Sequence, residues 1–155
     1  MTDAEGHYDT DRLAQLLRAR YECLLELRDL GRRQMELIEQ GELAALLDLL
    51  TTKQRSIDRL QQIERALDPF RDQSPQQRRW RSAQHRQQCA DLIEQCQSLL
   101  AEIVATEKRC ETALLHQREQ TLALLQRMQT ASNVQGMYTA EMDISGSQIN
   151  ILSEG

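Results

Sequence analysis

Three residues of one stretch have the types and spacing of a metal site: His85, Cys89 and Cys96. Steps of four and seven place all three on one side of a helix, where an imidazole and two thiolates could converge on a transition metal. A closed site needs four ligands, and neither a paired CxxC nor a second helical His/Cys set supplies the fourth. Cysteine is also a common small core residue, and Cys23, Cys89, Cys96 and Cys110 all fall within helical patterns. They read as reduced core thiols, and neither a metal nor a cofactor is expected. A second cluster, Arg78, Arg79, Arg81 and Arg86 around Trp80, could stack on a nucleobase. It is short and no nucleic-acid motif accompanies it. The plainer reading is a solvated helix start whose Trp closes one end of a bundle. These cations oppose the macrodipole of a helix N-terminus, which points to an acidic partner for them. Catalysis has no candidates: His7, His85 and His116 lack a nucleophile or carboxylate in motif spacing, and GxSxG, a phosphate loop and HExxH are absent. No enzyme is expected.

The third group is apolar. Leu114, Leu115, Leu122, Leu124, Leu125 and Met128 gather in the distal part of one long helical pattern, and such a face is used either by a partner or by a fold that bends back over it. The elements that position these groups follow from composition. Leu (24), Gln (20) and Arg (17) dominate the 155 residues, against two Val and 3% aromatics. Good helix formers are abundant and strand formers scarce, so the expected fold is all-α. Leu and Ala seams suit an elongated antiparallel bundle or coiled coil of long helices. The net charge of −5 argues against nucleic acid as a partner. The first twelve residues are acidic without an apolar run, and nothing approaches a membrane span, so no membrane insertion and a cytoplasmic location are expected.

Periodicity divides the chain. Steps of three and four through Leu13, Leu16, Leu17, Leu24, Leu27, Leu30, Leu37 and Ile38 predict a first helix over about 10–39, capped by Asp9 or Thr10. Gly41 follows, where the chain is expected to reverse. Leu43, Leu46, Leu47, Leu50, Ile57, Leu60, Ile63 and Leu67 predict a second helix over 42–67, ended by Pro69. Ser74, Pro75 and Gln77 form a capping box, so a third helix is expected over 75–131. At about 80 Å it is nearly twice as long as the other two, and reversal at Gly41 leaves its distal half without an intrachain partner. These helices make one domain, 1–131. Residues 132–155 carry scattered Ser and Gly and read as a mobile tail, in which Tyr138, Ala140, Met142 and Ile144, then Ile149 and Ile151, alternate as in a strand-forming docking peptide.

The order of these features resembles a known family, the FlgN-type flagellar export chaperones. The resemblance is carried by Leu13 to Leu17 with Leu24 to Leu27, then Ile38-Glu39-Gln40-Gly41-Glu42-Leu43, Leu46, Lys53, Leu60 and Glu64-Arg65, which look like that family's first two helices. Glu111 to Met128 is similar to its last helix, and Tyr138 in a Gly- and Ser-containing tail to its C-terminus, although Thr139 and Ala140 replace a small Gly step there. The resemblance implies a chaperone that binds the hook-filament junction proteins FlgK and FlgL, keeps them unpolymerised and delivers them to the type III export gate. It places client contact on Leu114, Leu115, Leu122, Leu124, Leu125 and Met128, and docking on the cytoplasmic domain of the gate protein FlhA on Tyr138. The competing expectation is a coiled-coil scaffold or tether that forms homodimers, against which Glu107, Gln117 and Thr121 interrupt the seam of the third helix.

Overall fold

The stripe of Leu13, Leu16, Leu17, Leu24 and Leu27 forms one side of a helix, α1 (Asp9–Gln40), and is buried along it. In this computed structural model the backbone of residues 9–153 and the side chains of residues 9–141 are described. They contain two further α-helices, α2 (Leu43–Arg71) and α3 (Ala83–Ser153), with one turn of 3-10 helix at Pro75–Gln77 and no strand. The fold is all-α, as composition predicts.

The chain reverses at Gly41. Its φ of 69° lies in the left-handed region that glycine adopts without penalty. The Glu42 N–H reaches the Leu37 carbonyl at 3.0 Å and the Gly41 N–H the Ile38 carbonyl at 3.1 Å, the paired bonds of a Schellman motif that satisfy the last carbonyls of α1. α2 therefore runs antiparallel to α1: Lys53 bonds Gln34, the Cys23 thiol donates to the Ser56 carbonyl, and Arg20 meets Glu64. The first part of α3 lies parallel to α1, since Arg81 pairs with Asp11 and Arg32 with Glu102. Gly31 makes this approach close, because a Cβ there would meet the Thr106 methyl at 3.3 Å.

Two apolar clusters fill this three-helix bundle. The larger joins Leu13 to Leu27 of α1, Ile63 and Leu67 of α2, and Cys89, Cys96 and Leu99 of α3. The smaller, Leu37, Ile38, Leu46 and Cys110, lies at the Gly41 end. Between them sits a polar layer, in which buried Lys53 donates to Gln34 Oε1 at 2.9 Å and also pairs with Glu107. By its internal contacts the chain falls into two units, Met1–Ala113 and Leu114–Gly155.

Several boundaries differ from the periodic reading, each for an identifiable reason. α2 continues through Pro69 to Arg71, since a proline in the last turn forfeits only one backbone bond and Arg71 clasps Glu64 and Asp68 along the helix surface. The Ser74-Pro75 box makes only the 3-10 turn, and α3 starts at Ala83, where Ser82 Oγ accepts the His85 N–H at 3.0 Å. Thr10 is not a cap: it is buried and donates to the Arg79 carbonyl, holding the connector against α1. The backbone over 132–153 is helical where an extended segment was expected. A lone glycine such as Gly136 costs a helix only about 1 kcal/mol, and no proline follows Pro75. The side chains of Met142, Ile144, Ile149 and Ile151, and His7, lie outside the described residues.

Candidate partner-binding surface

The chemistry-bearing clusters of the sequence resolve into structural roles. Cys23, Cys89, Cys96 and Cys110 are free and fully buried. Burial raises the pKa of each thiol above its ordinary value, with nearby arginines (Arg59, Arg18 and Arg20) opposing the shift at the first three. Thiols held protonated in this way are poor nucleophiles and poor ligands. His85 packs edge-on against Trp80 at 5.7 Å between ring centroids, and no group of three His, Cys, Asp or Glu side chains among the described residues is placed to hold a metal.

Two arginines of the cluster, Arg78 and Arg81, are tied down within the chain. Arg81 grips both carboxylate oxygens of Asp11 at 2.6–3.0 Å, and Arg78 donates to the Phe70 carbonyl at 2.6 Å. Trp80 and Phe70 pack onto the larger apolar cluster and close that end of the bundle. The acidic partner of at least Arg81 is thus Asp11 of α1.

A different picture holds on the distal part of α3. Leu114, Leu115, Leu122, Leu124, Leu125 and Met128 are all exposed, between 38% and 59%. They lie on one uninterrupted helix, where at about 100° per residue they spread over about half of its circumference with Gln117, Arg118 and Thr121 among them. Polar residues such as His116, Glu119 and Arg127 take the opposite side. Single exposed leucines need no explanation, but six large exposed apolar side chains gathered on one stretch of helix are the kind of surface that interaction sites use. Tyr138 lies further along the same helix at 64% exposure.

The periodic reading missed two features. Leu43, Leu47 and Leu50, assigned to the inner stripe of α2, stand outside it at 65%, 66% and 38% exposure, while Lys53 and Ser56 occupy core positions that the apolar pattern does not mark. An open groove of about 450 Å³ between α1 and α3, floored by Leu25 and Leu99 and rimmed by Arg28, Asp91 and Glu94, left no signal in the sequence, since its lining comes from positions 70 residues apart.

Among the described residues no helix is long and apolar enough to cross a membrane. Searches of curated proteins and of solved structures found no match. The family model described as FlgN protein matches residues 1–144, which takes in α1, α2 and most of α3, including its exposed apolar side chains. An all-α chain with a buried bundle, an accessible apolar helix and this match over nearly its whole length belongs to the FlgN family of flagellar export chaperones.

Proposed function

We propose that this chain is a cytoplasmic chaperone for the hook-filament junction proteins of the FlgK and FlgL type, keeping them unpolymerised and delivering them to the flagellar type III export gate. The observation that carries the reading is the exposed face of Leu114, Leu115, Leu122, Leu124, Leu125 and Met128. In this reading the client presents an apolar helix that has to stay covered until export. An amphipathic helix does so by laying its apolar face against them, a mode in which burial gives affinity and side-chain spacing gives register. Tyr138, accessible on the same helix, serves in this reading as the residue that docks on the cytoplasmic domain of FlhA.

Calorimetric titration of the purified chain with a purified FlgK-type junction protein tests the client assignment. Leu124→Asp and Leu125→Asp place a charge on the face without touching the buried bundle, and each is expected to weaken binding at least tenfold while the far-UV spectrum stays helical. Unchanged affinity in both variants would remove the site. Tyr138→Ala is expected to reduce binding to the FlhA cytoplasmic domain and to leave the client affinity intact. A chain that binds neither protein but self-associates would return the scaffold reading.

A further inference from the structure

Arginines crowd the end of the bundle where α2 gives way to α3. Residues 65–86 carry six arginines and two aspartates, a net charge of +4 in a chain of −5, which leaves −9 for the remainder. Contacts within the chain account for three of the six: Arg71 is held by Glu64 and Asp68, Arg78 by the Phe70 carbonyl and Arg81 by Asp11. Arg65, Arg79 and Arg86 are exposed and make no ion pair among the described residues, against Asp72 as the one such carboxylate of the same stretch. Arg79 precedes α3 and Arg86 lies in its first turn, where the helix macrodipole disfavours cations, so neither charge serves the helix. Trp80 and His85 each adjoin one of these two arginines in sequence, and their rings meet edge-on at 5.7 Å, which brings the two stretches of backbone together. The spot is also pinned to the fold, since Thr10 donates to the Arg79 carbonyl and Trp80 packs on the larger apolar cluster. A surface fixed beforehand loses little freedom on binding.

We infer that Arg79 and Arg86 dock an acidic segment of a partner protein. A guanidinium takes a carboxylate through two parallel hydrogen bonds, which an ammonium cannot do, and all six cations of the stretch are arginine. Exposed Gln77, Gln84 and Gln88 add amide donors around them. Nucleic acid fits the surface less well, because a base stacks on an open aromatic face and Trp80 is already packed on the apolar cluster with His85 against it. A bilayer fits less well too: of the large exposed apolar side chains among the described residues, none falls between Leu50 and Ile93 to enter it. The −9 on the rest of the chain repels an extended polyanion or a charged surface, whereas a short acidic segment is screened from charges more than about 8 Å away at physiological salt.

The surface lies within the unit Met1–Ala113 and uses none of the proposed client residues, so it stands or falls apart from the client reading. The full chain is titrated, with fluorescence anisotropy as the readout, into a labelled short peptide of alternating Glu and Ser and into its Gln and Ser counterpart. A labelled oligouridylate and labelled vesicles of phosphatidylcholine with phosphatidylglycerol are run alongside. The Glu peptide is expected to bind and the Gln peptide not, with affinity falling as salt is raised. The double variant Arg79→Gln with Arg86→Gln, both at exposed positions, is expected to weaken the Glu peptide at least fivefold while keeping the native urea midpoint. Arg55→Gln with Arg127→Gln removes the same charge from exposed positions elsewhere and is expected to change affinity less than twofold. An equal loss in both double variants would show that overall charge and not this surface is responsible, and the inference would fail. It would fail as well if the oligouridylate or the vesicles bound more tightly than the Glu peptide, or if the native chain bound no Glu peptide even at low salt.

Discussion

Glu64 shows how single side chains hold helices of this bundle together. Its carboxylate accepts from Arg20 Nε of α1 at 2.5 Å and from Arg71 further along α2. Arg20 is the more consequential partner, with only 15% of its side chain exposed, while Arg71 at 48% is well solvated and contributes little. Burial alone would raise the Glu64 pKa, but the hydrogen bonds from Arg71 and Arg20 outweigh it and hold the group below its ordinary value of 4.5. A folded-state pKa lowered in this way adds stability that is complete above the unfolded value and disappears as pH falls through the folded one. Glu64→Gln is therefore expected to be less stable than the native chain at pH 7, with the gap closing as the pH drops below about 4.5. Urea midpoints of both proteins between pH 7 and pH 3 measure this, and a gap that stays constant across that range would show that the carboxylate charge is not what Arg20 requires.

At the scale of elements, the polar layer of Lys53, Gln34 and Glu107 separates the two apolar clusters and sets the register of α2 against its neighbours. Gln34 is 5% exposed, so its side-chain carbonyl depends on the Lys53 ammonium, whereas Glu107 keeps 40% of its surface in water. Lys53→Met fills the same volume but leaves the Gln34 oxygen buried and unpaired, a loss of about 1–3 kcal/mol. Adding Gln34→Leu removes the orphaned acceptor, and the double variant should recover native stability or exceed it, as replacements of buried polar groups often do. Equilibrium urea denaturation distinguishes the cases, and a double variant no more stable than Lys53→Met alone would contradict this account. The same layer explains where sequence reading failed. The α1 stripe and the turn at Gly41 were legible because periodicity and a glycine report directly on local geometry. Lys53 and Ser56 in the core, the start of α3 at Ala83 and the passage of α2 through Pro69 were not, since each is decided by partners such as Gln34, Thr10, Asp11 and Glu64 that lie far away in sequence. The exposure of Leu114, Leu115, Leu122, Leu124, Leu125 and Met128 was legible for the opposite reason: under reversal at Gly41 this half of α3 has no helix to pack against.

For the molecule as a whole, the buried core and the exposed apolar side chains of distal α3 fall in different units. Every buried hydrophobic side chain among the described residues lies at or before Cys110, within the unit Met1–Ala113. Stability should accordingly reside there, while the helix from Leu114 onward displays apolar surface and gains little from burial of its own. Helices without tertiary packing are marginal in water, and most helical stability in proteins comes from a buried face. A chain stopped after Arg118 is thus expected to keep the urea midpoint of the full protein to within about 0.5 kcal/mol, the range typical of changes away from core contacts, and to lose client binding altogether. In the full chain, amides beyond residue 118 should exchange with solvent far faster than those of the Leu13–Leu27 stripe, and slow by orders of magnitude when a junction protein is added, because the client supplies the packing the helix lacks. Slow exchange there in the free chain, or a truncated protein that unfolds at lower urea, would mean that the distal helix is stabilised within the protein itself and is not held open for a partner.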